Sequence, residues 1–270
     1  MMKKKIKQAK IGVIKVKGNF AITGGDPYSL AQSMFGLKVT GLLKKGECYH
    51  KYWSDRNVDE IVCFRAPMTS ANNIRKLKPI SNGAVDYWYK YITTCILLNS
   101  WDTTSEALNG SDHDGDLFFT TNNPVLLKNT KNLPVIQCIQ RKAEKKIVTE
   151  EDLILSNKLS FGDAIGSTTN IITSQICLQS MFPEDSEEYK VLQYRILCGQ
   201  LLQQNAIDKA KGIIAKPMPR HWYDNKVNKI LDDDCEETIN QKKFNQTIVA
   251  NKKPYFFIYN YDYLKSDYNK

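Results

Sequence analysis

The chain has 270 residues, 42% of them hydrophobic and 25% charged, which suits one large globular domain or two modest ones and excludes wholesale disorder. Thirty-eight Lys and Arg against 29 Asp and Glu leave a charge of +9, and only six of the basic residues are Arg. That surplus suits a polyanionic partner and a soluble lysine surface equally well.

No apolar run approaches the ~20 residues that cross a bilayer, and Lys15 and Lys17 interrupt any signal-peptide core at the start of the chain. The seven cysteines never approach closer than fifteen positions, so no CxxC zinc or redox pair exists, and the three histidines are scattered. The expectation is a cytoplasmic chain with reduced thiols, no zinc and no membrane.

In chain order, the first ~125 residues read as short alternating runs broken by turns, the rhythm of a β unit. Residues 11–16 alternate, and Gly24-Gly25-Asp26-Pro27 forms a turn in which Asp26 reads as a turn residue rather than a ligand. Ser29 to Phe35 suits a short helix. Residues 61–68 form a strand with Ile61, Cys63 and Arg65 on one face and Val62, Phe64 and Ala66 on the other. The apolar stretch 86–98 suits a buried helix or a strand, and periodicity does not decide between them. A polar loop, residues 107–116, then enters the strand Leu-Phe-Phe-Thr-Thr.

After Pro134 the texture changes. Residues 135–142 suit one more strand or a connector, and helix begins near Thr149 with acids in its first turn. The clearest helix runs from Asp185 to Ala210, with Asp185 and Glu188 at capping-box spacing and a stop at Lys211-Gly212. Its apolar stripe is Val191, Tyr194, Cys198, Leu201 and Leu202. Beyond 250, Tyr255, Phe257, Tyr259, Tyr261 and Tyr263 recur at every second position, as in a strand clamped to the body or a platform for single-stranded bases. No internal repeat is visible.

The sharpest signal is Asp112-His113-Asp114-Gly115-Asp116. Carboxylates at i, i+2 and i+4, with a glycine between them, let a bent loop aim three oxygens at one hard cation. A calcium loop starting at Asp112 would need Gly at its sixth position and Glu at its twelfth, where Leu117 and Asn123 stand. That leaves an acidic solvated turn, or a magnesium site for phosphoryl or nucleotidyl transfer. A metal-dependent phosphatase or nuclease would recruit more His, Asn or acid nearby than His113 and Glu106.

Residues 108–119, some fifty residues after Val62-Cys63-Phe64-Arg65-Ala66-Pro67-Met68, resemble the catalytic barrel of two-barrel RNA polymerases. That superfamily includes the large subunits of cellular enzymes (NADFDGD), RNA-silencing RNA-dependent RNA polymerases (GSDLDGDLY), and phage and mobile-element relatives. Gly110 to Phe118, GSDHDGDLF, is similar to the silencing form, with His113 where an apolar or aromatic residue is usual. Residues 16–30 resemble the strand and turn that open this barrel, and residues 164–170 and 207–212 resemble elements that follow the metal loop.

The resemblance implies an α+β chain: a double-psi β-barrel over 1–130, a mainly helical region over 131–250, and an aromatic tail over 251–270. It implies that Asp112, Asp114 and Asp116 are catalytic and hold Mg²⁺, with Mn²⁺ as the alternative ion. Arg65 and Asn109 would contact the nucleotide, and Lys209 and Lys211 the nucleic-acid backbone. For each the plain alternative stays open: a strand-end Arg, a turn Asn, and lysines answering a helix dipole. The implied partners are nucleoside triphosphates, a nucleic-acid template with its RNA product, and a domain or chain carrying the second barrel. The rival expectation is an inert nucleic-acid-binding or assembly module that keeps the fold.

Overall fold

The computed structural model describes residues 2–10, 15–160 and 162–250. They fall into two compact units, one from 15 to 137 and one made of the chain on either side of it. The strand expected over 11–16 lies mainly outside the described residues, with Lys15 and Val16 irregular, and the aromatic tail lies wholly outside them.

The first unit contains β1 (Asn19–Gly25), α2 (Pro27–Met34), β2 (Glu47–Tyr49), α3 (Lys51–Ser54), β3 (Ile61–Phe64), β4 (Ile74–Pro79), α4 (Gly83–Tyr89), β5 (Cys95–Leu98), α5 (Thr104–Ala107), β6 (Leu117–Thr121) and α6 (Pro124–Asn129), and α1 (Met2–Lys10) precedes it. The ambiguous stretch 86–98 is therefore both elements in succession, a helix that stops at Tyr89 and a strand that starts at Cys95.

The six strands close into a barrel in the order β1-β5-β2-β4-β3-β6. Pairs β1–β5 and β2–β4 are parallel and the other four are antiparallel. Exchanging β1 with β4, β2 with β5 and β3 with β6 reproduces the ring and the sense of every pairing. The connections follow the same exchange. α2 and α4 are N-capped by Asp26 and Asn82, α3 and α5 each span four residues, and each of these two is followed by a left-handed Asn, Asn57 (φ 51°) or Asn109 (φ 61°). The barrel thus carries a repeat that its sequence does not display.

Alternation fills the interior. Ala21, Cys48, Ile61, Cys63, Leu77, Ile96, Leu98 and Phe118 form the core with Trp53 and Leu108. The intervening Tyr49 and Leu97 turn outward and pack with Leu43, Val85 and Tyr89 beneath α4. One polar knot lies among these side chains. Thr120 Oγ1 donates to the Asn19 carbonyl at 3.0 Å and accepts from Trp53 Nε1 at 2.8 Å. His50 Nε2, 3.3 Å away, must then be the donor of its contact with Thr120, which places the neutral imidazole's lone pair on Nδ1.

The second unit holds α7 (Glu150–Ser160), α8 (Ala164–Gln179), α9 (Glu187–Ile207) and α10 (Glu236–Val249). Residues 135–142 form no strand, only a single bridge between Lys142 and Ile213. Two corrections concern α9. Its cap is Ser186, whose hydroxyl accepts from the Tyr189 amide, rather than Asp185. Its buried residues are Leu192, Arg195, Ile196, Gly199, Gln200 and Gln203, one step around from the apolar stripe, and Tyr194 is exposed. Two of the polar members find partners, Gln203 with Thr169 and Arg195 with Asn245. The stop at Gly212 is a left-handed cap, φ 81°. Among the described residues no helix is long and apolar enough to cross a membrane.

Two outcomes follow for stability. Burial holds the His50 imidazole neutral down to about 4, against about 6.5 when unfolded, so stability is complete above pH 6.5 and falls as pH drops toward 4, by up to about 3 kcal/mol. Urea midpoints measured between pH 7.5 and 4.5 should decline less for His50→Gln than for the parent chain. At Gly199 a Cβ would stand 2.6 Å from Ile172 Cγ1, so Gly199→Ala should cost the ~1–3 kcal/mol of stability typical of overpacking, seen as a lower urea midpoint, despite its better helix propensity.

Candidate metal centre

The triple-Asp loop joins α5 to β6. Its shape begins with Asn109 and Gly110, both left-handed (φ 61° and 64°), which turn the chain out of α5. The amides of Gly110 and Ser111 donate back to the Glu106 and Ser105 carbonyls at 3.0 and 2.9 Å. Gly115 adopts φ 117°, a conformation that a side chain would strain, and this bend lets the flanking carboxylates converge. The Thr23 amide then donates to the Asp116 carbonyl at 2.9 Å, and β6 pairs with β1 from Leu117 opposite Ile22.

One carboxylate oxygen from each of Asp112, Asp114 and Asp116 lies within 4.8 Å of the other two, the one such acidic group among the described residues. Asp112 and Asp114 are exposed and Asp116 is half-buried. Asp116 is fixed from both sides: its Oδ1 receives Arg65 Nη2 at 2.6 Å and its Oδ2 receives the Ser111 hydroxyl at 3.0 Å. Oxygen-only, anionic donors on a loop of this curvature suit a hard divalent cation, so the residues present fit magnesium or manganese.

The segment after β3 supports the loop. Arg65 Nη1 donates to the carbonyls of Asn109 at 2.9 Å and Leu108 at 3.4 Å, so a single guanidinium ties the turn to Asp116. The Asn109 amide in return donates to the Pro67 carbonyl at 3.1 Å. Asn109 is only 2% exposed, and this bond holds its side chain against the segment after β3.

Sequence reasoning missed Asn73, fully buried beside this segment. Its Oδ1 accepts from the Thr69 and Ser70 amides and its Nδ2 donates to the Ala107 carbonyl at 2.8 Å. The spacing Ser70-x-x-Asn73, a side-chain cap ahead of a strand, was the available signal.

The remaining expected residues lie elsewhere. Asp26 is a buried hub: it caps α2 through the Tyr28 and Ser29 amides and also accepts from the Leu42 amide and the Tyr89 hydroxyl. Burial pushes its pKa up, but these bonds outweigh burial and hold the carboxyl below its usual range. Lys209 and Lys211 belong to the other unit, on the 3₁₀ turn that closes α9, where Lys211 pairs with Asp208 at 3.1 Å. The structure therefore brings together Asp112, Asp114, Asp116, Arg65 and Asn109.

No family model matches the chain, and no curated protein matches its sequence. Among solved structures it is similar to the RNA-dependent RNA polymerase QDE-1 from Thielavia terrestris, with a TM-score of 0.55 and 14% identity. The similarity covers 79% of this chain and 24% of that one. At this identity the likeness is one of fold: a mixed helix-and-strand chain with a closed six-stranded barrel, spanning 24% of the length of the polymerase it matches.

Arg65→Ala would leave Asp116 half-buried without its cation and the turn carbonyls without their donor. Its expected cost is about 2–4 kcal/mol in urea unfolding, with Arg65→Lys recovering part of it by keeping the charge but not the fork.

Proposed function

We propose that the barrel is a double-psi β-barrel and that the chain is the catalytic-barrel portion of an RNA polymerase, acting in magnesium-dependent nucleotidyl transfer. In that reaction a hydroxyl at an RNA 3′ end attacks the α-phosphate of a nucleoside triphosphate and pyrophosphate leaves. The observation that carries this reading is the convergence of Asp112, Asp114 and Asp116 on a loop of a barrel whose fold is similar to that of an RNA-dependent RNA polymerase. The pairwise exchange of strands, with its two parallel pairs, supports the double-psi assignment.

In this reading Asp112 and Asp114 present exposed carboxylates to the ion, and Asp116 presents a carboxylate already oriented by Arg65 and Ser111. When bound, magnesium supplies the positive charge that favours ionisation of the attacking hydroxyl. Arg65 holds the loop with three hydrogen bonds from a group with five N–H donors, which leaves capacity for a ribose hydroxyl. Asn109 and Asn73 keep the loop's backbone from relaxing as charge is added. Lys209 and Lys211 are assigned to backbone phosphates, with Lys211 exchanging its Asp208 partner for one. The lysines that contact the triphosphate come from a second barrel, on a partner chain or domain.

The inert-module alternative makes the opposite prediction about the acids. Primer extension by the chain together with its partner barrel should fall by at least a hundred-fold in Asp114→Ala, a variant that should fold normally because the side chain is exposed. Extension equal to that of the parent chain would overturn the proposal.

A further inference from the structure

Beside the metal loop the barrel carries an uncovered aromatic groove. His113 packs against the backbone at Gly25, where a Cβ would stand 3.4 Å from its Nε2, and α2 starts two residues later. From Pro27 a groove of about 370 Å³ runs between α2 and α4, walled by Tyr28, Phe35, Leu37 and Trp88. Phe35 is 80% exposed and Trp88 57%, and Tyr87 and Tyr91 extend the surface at 64% and 84%.

The rings are arranged as platforms. Tyr28 and Tyr87 each meet Trp88 edge-on, with centroids 5.4 Å away, so two ring contacts hold the indole. The Lys90 ammonium lies 4.8 Å from the Tyr91 ring centre and 5.4 Å from that of Tyr87, and Lys38 directly follows the groove residue Leu37 in the chain. Along 26–38 and 83–92 the acids are Asp26, which is buried and bonded to the Tyr89 hydroxyl, and Asp86, which is engaged by Ser81. Exposed rings, flanking cations and the scarcity of exposed acid along these helices match a surface for stacked bases and their phosphates. The exposed Leu30 and Met34 do not line the groove.

We infer that the α2–α4 groove binds single-stranded RNA next to the Asp112–Asp116 loop, with bases stacked on Trp88, Phe35 and Tyr91 and phosphates near Lys38 and Lys90. The eight residues of α2 span about 12 Å, room for two or three stacked nucleotides. This inference deepens the polymerase reading by naming a path for one strand, but binding needs neither ion nor catalysis.

The test is fluorescence anisotropy of a labelled 12-nucleotide oligo(U) with the full chain, in EDTA and near-physiological salt. Trp88→Ala and Tyr91→Ala should each raise Kd roughly ten-fold, in the range measured for a lost base–aromatic stack. Trp88→Phe should retain most of the affinity, and circular dichroism should be unchanged because both side chains are exposed. Asp114→Ala should bind as the parent chain does, so a failed catalytic reading and a failed groove give different results. The inference is overturned if the parent chain does not bind the oligonucleotide, or if both Ala variants bind it as tightly as the parent. A change confined to self-association in those variants would likewise overturn it and mark the face as a protein interface.

Discussion

Three carboxylates held within 4.8 Å repel one another, and everything else about this loop answers that repulsion. At this separation each pair of unit charges costs about 1–3.5 kcal/mol for effective dielectric constants between those of water and a protein surface. A loop free to relax would spread them. Here it is restrained by the left-handed turn at Asn109-Gly110, by the bend at Gly115, and by an arginine that neutralises Asp116 while holding the carbonyls of the turn. A cation would remove the remaining cost, so the restraint and the proposed ion are two parts of one electrostatic arrangement.

The barrel's internal exchange explains where the loop sits. The connection from β5 to β6 is the counterpart of that from β2 to β3, and both run through a four-residue helix and a left-handed Asn. In the first copy only residues 58–60 follow before the strand begins; in the second, residues 110–116 follow and carry the triad. The same scaffold makes a plain turn once and a chemically equipped loop once. A fold can thus host a site by lengthening one of two equivalent connections while the strands keep their register.

Legibility from sequence followed the range of each interaction. The Asp112–Asp116 spacing, the strand at Ile61 and the glycine stop at 212 depend on neighbours a few residues apart, and all were readable. Arg65 could be singled out, but its tie to Asp116 and to the turn spans 51 and 44 positions and had no sequence signal. The repeat was hidden because its halves share topology and not residue types: Asp26 and Asn82 cap equivalent helices, and their neighbours differ. The face of α9 was misplaced because burial there takes in Arg195 and Gln203, which are held by hydrogen bonds, and Gly199, which is held by close packing, whereas an apolar stripe reports only hydrophobic burial.

The central claim is that three acids of one loop share a divalent ion. Diffraction at the manganese absorption edge, from crystals of the full chain grown with Mn²⁺, tests it with no reference to activity. An anomalous peak enclosed by the carboxylates of Asp112, Asp114 and Asp116 is expected, with the Arg65 contact to Asp116 retained. A map in which those side chains stand as described here and no peak lies among them would contradict it.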